Sequence, residues 1–478
     1  MMNNVQEIQK AIIEALPIKT SNYGEVPNQR NLYIPPAHVK VLRLECNLVI
    51  GARGVGKSFW TAALSDSALR AALTSEVKEL ERTDVYVGFG VNSNIEAYPD
   101  KSTFSQLIKS RHTPYDIWRS VVVRWLCNTN DVVPKDKWSD TVAWVVENPE
   151  QVARSLQQAN QAFQTKERFG LIVFDALDHS SDHWTQMDDI VRDLLRVVLW
   201  LKSFPFLHAK VFLREDQASR MTTNFPDASK LLATKAELTW ELNDLHGLLW
   251  QMLCNAEGDN GQILRNVYKN IRQAFPRERD GIFYIASEVK RDNVAQRALF
   301  EALAGAWMGS GPKRGVPYVW SVSHLADGYG RTSPRSFLAA IREAAEHSNE
   351  KYPSHSHPLH YESIKSGVKK ASAIRVGEMA EDYPWVIDVM SPLRGRTVPC
   401  EFSIIENSWK EDLTHDDLFQ GSLQNLPPQH ANRGWEGVRQ DLERIGIFET
   451  MKDGRVNLPD LYRVGFGLGR RGGVKPMK

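Results

Sequence analysis

Four runs of mostly apolar, β-forming residues mark the first half of the chain and predict the strands of a sheet. The runs cover residues 48–50, 85–91, 169–175 and 209–216. The third run is continuously apolar up to its last residue, which is typical of a strand buried in a parallel sheet. Longer segments with helical spacing lie between the runs, so the pattern predicts an α/β fold with a parallel sheet.

The second half of the chain has a helical pattern. Apolar residues recur at helical spacing in three segments. These segments are 238–253, 260–275 and 294–308. Ser333 followed by Pro334 predicts a further helix start, because serine caps the first turn and proline fits its first position. Near the end of the chain, a helix over 434–445 followed by two short strands around a Lys-Asp-Gly turn predicts a helix and a hairpin.

A glycine-studded turn follows the first strand and leads into a helix. Gly51, Gly54 and Gly56 allow the backbone to wrap closely around a phosphate, with amide groups pointing inward at the positive end of the helix dipole. Lys57 would contact the β and γ phosphates, and the Ser58 hydroxyl is short enough to hold a bridging Mg²⁺ ion. This is a complete Walker A pattern; a chance match in an ordinary glycine turn is the alternative. The predicted nucleotide-binding residues are Gly51, Ala52, Arg53, Gly54, Val55, Gly56, Lys57, Ser58 and Phe59.

Asp175 ends the third strand, at the carboxyl edge where open α/β sheets bind ligands. A carboxylate there can accept hydrogen bonds from the water shell of a Mg²⁺ ion held by Ser58, so these two residues form the predicted magnesium site. The next residue, Ala176, cannot activate water. Asp178 is the nearest carboxylate on the same turn and is predicted to orient the attacking water; a helix cap or a solvated loop carboxylate is the alternative.

Two arginines complete the candidate site. Arg214 leaves the fourth strand at the same edge, where its guanidinium could sense the γ phosphate. An ion pair with Glu215, Asp216 or another carboxylate is the alternative. Arg335 lies in the first turn of the helix that begins after Ser333, where the helix dipole disfavours a cation. A cation in that position calls for an anionic partner, which either a bound phosphate or a carboxylate would supply.

In this order along the chain, the Walker A stretch, the Asp-Ala-Leu-Asp stretch and the two arginines resemble the STAND and KAP-like group of AAA+-related P-loop nucleotide triphosphatases. The resemblance implies ATP rather than GTP, sensor roles for Arg214 and Arg335, and a switch function, since many members are bacterial or innate-immune switches. It also implies a P-loop ATPase core, a helical lid and a winged-helix-like carboxyl-terminal domain. The expected divisions are 1–40 for a lead-in helix and irregular segment, 41–236 for the core, 237–350 for the lid and 351–478 for the last domain with its basic tail.

Composition adds little to this picture. The 478 residues include 59 Lys and Arg against 58 Asp and Glu, so the net charge of +1 gives no whole-molecule argument for binding nucleic acid or membranes. The four cysteines are far apart in sequence, as expected of core thiols in a reducing compartment. No run approaches the roughly 20 apolar residues that a membrane span needs. We therefore expect a cytoplasmic protein without a membrane partner.

Two later stretches have more than one interpretation. His355, His357 and His360 have a spacing that suggests a metal site, but they lack a cysteine or carboxylate ligand, so a solvated linker is favoured. The glycine-rich basic tail over 465–478 could contact a nucleic acid backbone, or it could be a solubilising tail or a subunit contact. Nucleic acid is therefore a less favoured partner.

The sequence as a whole predicts a Mg²⁺-dependent ATPase that acts as a molecular switch or regulatory subunit. Water would attack the γ phosphate in line, with Asp178 orienting it and Lys57, Mg²⁺ and the two arginines stabilising the developing charge. The expected partners are further copies of the chain, a separate effector protein, or both. The alternative is a scaffold that binds ATP, hydrolyses it slowly and docks an effector or nucleic acid through its carboxyl-terminal domain. A DNA translocase and a small-molecule kinase are less favoured.

Overall fold

The computed structural model describes residues 5–16, 27–127, 133–134, 136–177, 180–181, 184–218, 222–413, 427–472 and 474–476. These residues form two compact units. The first contains described residues from the ranges 1–20, 30–33 and 240–478, and the second contains those from 21–29 and 34–239. The expected division of the chain at residues 40, 236 and 350 stays a prediction.

A parallel sheet forms the centre of the second unit. The order of its strands is β2-β3-β4-β1-β5, and every neighbouring pair is parallel. Its strands are β1 (Leu48–Ile50), β2 (Thr83–Phe89), β3 (Phe169–Phe174), β4 (Leu207–Leu213) and β5 (Ala236–Glu237). The predicted α/β fold with a parallel sheet is confirmed. The second and fourth strands begin two residues earlier than predicted, and β5 was not predicted.

The helices of the second unit connect these strands. Four of them, α5 to α8, lie between β2 and β3 in the chain, where the sequence predicted a largely helical region. The helices are α2 (Val39–Leu42), α3 (Lys57–Ser65), α4 (Ser67–Leu73), α5 (Lys101–Lys109), α6 (Pro114–Leu126), α7 (Trp138–Glu147), α8 (Pro149–Thr165), α9 (Trp184–Leu201) and α10 (Ser229–Leu232). Pro114 and Pro149 occupy first-turn positions of α6 and α8, where a missing N–H costs nothing.

The first unit is mostly helical and is built from distant parts of the sequence. Its first helix is α1 (Val5–Ala15), and the others up to residue 351 are α11 (Leu242–Cys254), α12 (Gly258–Arg272), α13 (Ser287–Arg291), α14 (Asn293–Ala304), α15 (Pro317–Ser323) and α16 (Pro334–Lys351). α1 packs on α12 and α16, and Gln9 of α1 donates to the Pro358 carbonyl at 3.0 Å. The sequence did not predict the hairpin of β6 (Arg277–Arg279) and β7 (Ile282–Tyr284).

The remaining elements of the first unit include a helix followed by a hairpin and one more short helix. They are α17 (Tyr361–Asp382), α18 (Pro384–Met390), α19 (Phe402–Asp412), α20 (Trp435–Arg444), β8 (Glu449–Thr450), β9 (Val456–Asn457) and α21 (Asp460–Arg463). The order of α20, β8 and β9 matches the predicted helix and hairpin; a winged-helix module stays a prediction. Across the described residues, no helix has both the length and the apolar character required to cross a membrane.

The described part of the basic tail is attached to the body of the first unit. Arg463, which is fully buried, donates to the carbonyls of Leu468 at 3.0 Å and Val474 at 2.6 Å. Its guanidinium also pairs with Asp460 at 2.8 Å, and the tail residue Arg470 lies 3.6 Å from the same carboxylate. Two of the tail's carbonyls and one of its cations therefore have partners within the unit.

Candidate nucleotide site

The turn after β1 packs closely against the end of β4 and the residue that follows β5. Its first residue, Gly51, donates its main-chain N–H to the Leu213 carbonyl at the end of β4, at 3.1 Å. A Cβ atom at Gly51 would lie 2.7 Å from Val55 Cγ2 and 3.1 Å from Leu238 Cβ, so no larger residue fits without displacing the turn. Gly56 has a φ of 104°, a conformation that L-residues with side chains rarely adopt. These glycines serve the close packing and the sharp turn that the sequence predicted.

Lys57 and Ser58 occupy the first turn of α3, directly after Gly56. The Lys57 ammonium donates to two carbonyls of the preceding turn, that of Gly51 at 3.0 Å and that of Ala52 at 2.9 Å. The Lys57 side chain thus folds back over the loop whose amides would surround a phosphate. Lys57 is half-buried and Ser58 is exposed, so the end of the helix is open to a ligand.

Asp175 follows β3 and is buried. Its main-chain N–H donates to the Phe89 carbonyl at the end of β2, at 3.0 Å, which continues the parallel pairing by one residue. The next residue, Ala176, has a φ of 58°. A residue with a Cβ costs about 1 kcal/mol in this left-handed region, so the chain is strained where it leaves the sheet. Asp178, the predicted water-orienting residue, lies outside the described residues.

Arg214 follows β4, which lies between β3 and β1 in the sheet. Its Nε donates to Asp216 at 3.3 Å. Gln217 closes the turn: its side-chain oxygen accepts from the Arg214 N–H at 3.1 Å, and its own N–H donates to the Arg214 carbonyl at 3.1 Å. The ion pair named as the alternative is therefore present. The sensor role stays a prediction.

Arg335 belongs to the first unit. Ser333 caps α16, with its hydroxyl accepting from the Ser336 N–H at 3.1 Å, which confirms the predicted helix start. The Arg335 guanidinium pairs with Glu378 of α17 at 2.5 Å. The structure thus supplies the carboxylate partner that was one of the two alternatives for this cation. A contact with a phosphate stays a prediction.

The three closely spaced histidines lie in the connection between α16 and α17. No group of histidine, cysteine and carboxylate side chains suited to a metal ion exists within the described residues. His360 caps α17 by accepting from the Glu362 N–H at 3.2 Å, and its ring stacks on Tyr352 with centroids 3.7 Å apart. Burial lowers the pKa of His357 and of His360, and the neighbouring His355 lowers both further. These histidines form an ordered connection.

The ends of three neighbouring parallel strands carry the chemistry of the candidate site. Since β1, β4 and β3 are adjacent and parallel, the Gly51 turn, Arg214 and Asp175 lie at the same edge of the sheet. The turn offers amides and an ammonium to an anion, and Ser58 and Asp175 offer the oxygen ligands that Mg²⁺ prefers. At Gly51 a Cβ would collide with Val55, so the close packing of this turn requires glycine there. This edge therefore combines the groups needed to hold a nucleotide with its magnesium ion.

Gln217 is the residue at this edge that the sequence analysis missed. It is buried, it fixes both main-chain groups of Arg214, and its side-chain amide lies 3.4 Å from the sulfur of Met187 in α9. A polar residue shortly after a strand end is a common turn-forming feature, but nothing in the sequence distinguishes a buried amide from an exposed one.

No family model and no curated protein sequence matches this chain. Among solved structures, it is similar to the ORC2 protein of Aeropyrum pernix in its ADPNP–ADP complexes, with 13% identity, 91% of this chain and 94% of that chain covered, and a TM-score of 0.37. It is also similar to the ADP form of the same protein, with 12% identity, 90% and 92% coverage, and a TM-score of 0.29. Similarities this weak do not establish a common fold or activity.

Proposed function

We propose that this chain is a Mg²⁺-dependent ATPase whose nucleotide state controls a switch. The observation that supports it best is the convergence of the Gly51 turn, Lys57, Asp175 and Arg214 at one edge of a parallel sheet. Each of these groups meets one need of a triphosphate: enclosure by amides, a compact cation, a ligand for the metal's water shell and a second cation.

In this proposal the Lys57 ammonium exchanges its two carbonyl partners for oxygens of the β and γ phosphates. The Ser58 hydroxyl and the Asp175 carboxylate would hold Mg²⁺, which would supply positive charge to the phosphates. Arg214 approaches the γ phosphate from β4, and Asp178 accepts a hydrogen bond from the attacking water and so orients it. Positioning and charge stabilisation of this kind supply most of the catalysis of phosphoryl transfer.

The finer parts of the proposal come from the resemblance to the STAND and KAP-like group. They are assembly with further copies of the chain or with an effector protein, a contact of Arg335 with the nucleotide, and a role in bacterial defence against phage. The Arg335 contact would require the guanidinium to leave Glu378 or to share its charge between the carboxylate and a phosphate.

The test is equilibrium binding of a non-hydrolysable ATP analogue, with and without Mg²⁺, followed by single-turnover release of phosphate from ATP. Wild-type protein should bind the analogue and release phosphate, whereas Lys57→Ala should do neither. Mass photometry with and without the analogue would report assembly in the same samples. A wild-type protein without affinity for adenine nucleotides would refute the proposal.

A second candidate is a scaffold that binds ATP and hydrolyses it slowly. Ala176 favours it, because the residue after Asp175 carries no carboxylate and holds a left-handed backbone conformation that would redirect any side chain placed there. The two candidates differ in the expected effect of Asp178→Ala on single-turnover phosphate release. A large loss of rate supports the ATPase, and an unchanged slow rate supports the scaffold.

A further inference from the structure

The ion pair between Arg214 and Asp216 lies within a short turn that follows β4 at the carboxyl edge of the sheet, beside the candidate nucleotide site. The two side chains are only 12% and 17% exposed, and the Nε to Oδ1 distance is 3.3 Å. Both main-chain bonds of Arg214 to Gln217 hold this turn in place, and β4 places it beside the Gly51 turn. The carboxylate and the guanidinium thus share one hydrogen-bonded turn that borders the candidate phosphate-binding loop.

A γ phosphate and the Asp216 carboxylate are two anions that would use the same guanidinium. Attraction between charges is several times stronger at partly buried positions than in bulk water, so the carboxylate offsets much of the field that Arg214 could offer to a ligand. A diphosphate lacks the γ group and would be much less affected. The competition therefore acts on the difference between triphosphate and diphosphate rather than on nucleotide affinity in general.

We infer that Asp216 is a competing anion that weakens the binding of nucleoside triphosphates, relative to diphosphates, by pairing with Arg214. This inference rests on the proposed function, since it assigns a regulatory role at the same nucleotide site. A switch gains from such a residue because a tightly held triphosphate would keep it permanently in one state, whereas an internal competitor sets the affinity at which the switch responds.

The experiment compares the dissociation constants of a Mg²⁺-bound non-hydrolysable ATP analogue and of Mg²⁺-ADP at fixed ionic strength. Asp216→Asn should tighten binding of the analogue by about fivefold or more while ADP changes by less than about twofold. Glu215→Gln, which removes the same charge one residue away, should produce a clearly smaller change and controls for general electrostatics. Thermal unfolding of each variant checks that the fold is intact, and Asp216→Ser repeats the test if the asparagine variant does not fold.

A double-mutant cycle isolates the pair itself. In an Arg214→Ala background, Asp216→Asn should lose most of its selective effect on the analogue, because the cation for which the two anions compete is gone. Weaker binding of the analogue by Asp216→Asn, equal tightening of analogue and ADP, or an undiminished effect in the Arg214→Ala background would each overturn the inference and leave the proposed function standing. Failure of the wild-type protein to bind either nucleotide would instead refute the proposed function.

Discussion

Two lysines of the second unit, Lys57 and Lys210, each donate to a pair of main-chain carbonyls, but their surroundings differ. Lys57 follows the turn at the carboxyl edge of the sheet and is half-buried. Lys210 lies within β4 and is fully buried; it donates to the carbonyls of Arg43 at 2.9 Å and Cys46 at 2.6 Å, which precede β1. Lys57 is partly accessible to solvent and could exchange its hydrogen-bond partners for those of a ligand. Lys210 is completely enclosed by the protein and could not.

The difference shows that hydrogen-bond partners alone do not identify a binding residue. Burial lowers the pKa of Lys210 to about 8, because a charged ammonium is costly to remove from water. The buried charge of Lys210 therefore lowers the stability of the fold, and its hydrogen bonds to two carbonyls offset part of that cost. Lys57 retains access to solvent at the carboxyl edge of the sheet, so under the proposed function its charge is available to a phosphate.

The largest expected effect is on nucleotide affinity, which should depend on Lys57 and not on Lys210. Lys57→Met should weaken binding of an ATP analogue by about 1,000-fold, equivalent to about 4 kcal/mol, because the ammonium would contact two phosphates. Lys210→Met should leave this affinity within about twofold, since Lys210 lies away from the carboxyl edge. Equilibrium titrations of both variants measure the contrast. Equal losses of affinity would show that burial does not separate the two roles.

The next effect concerns pH and stability. The unfolded-state pKa of Lys210 is near 10.5 and its folded-state value is about 8, so the unfolded chain binds more protons between these values. The free energy of unfolding should therefore rise as the pH increases from 8 to 10.5, by on the order of 3 kcal/mol from this residue. Urea unfolding of wild type and Lys210→Met across this range isolates the contribution. Parallel curves for the two proteins would contradict it.

The smallest expected effect concerns strain at the carboxyl edge. Ala176→Gly should raise the free energy of unfolding by about 0.5–1 kcal/mol, because glycine adopts the observed φ of 58° without the cost of a Cβ. Ala153→Gly, at an exposed position within α8, is the matched control and should lower it by about 0.5–1 kcal/mol. Chemical denaturation of both variants gives the comparison, and a loss of stability in both would refute strain at residue 176.

Local patterns made the sheet and the glycine turn predictable, because each depends on a few consecutive residues. β3 and the cap at Ser333 lie where their sequences placed them. The start of β2 was missed by two residues because its polar Asp84 is an edge position paired with Arg168 rather than part of an apolar run. β5 has only two residues, Ala236 and Glu237, which is too short for any periodic signal.

Partners that are distant in sequence could not be predicted. The sequence correctly predicted that Arg335 has an anionic partner. Which residue supplies the carboxylate, Glu378, depends on how α16 and α17 pack. Lys210 stands in an apolar run as an apparent exception, and only the fold shows that carbonyls from residues 43 and 46 surround it. β6 consists of three charged residues and so carried no apolar pattern, and β7, Ile282–Tyr284, has only three residues, too few for a periodic signal.

The placement of α1 has a consequence for how the chain folds during synthesis. The buried face of α1 includes Ile8 and Ile12, and it packs on α12 and α16, which are translated only after the whole second unit. At about 5–20 residues per second, this face leaves the ribosome on the order of tens of seconds before its partners exist. The sheet can form in that interval, whereas the apolar face of α1 stays exposed to solvent. We therefore expect chaperones to bind the nascent chain until residue 351 has emerged.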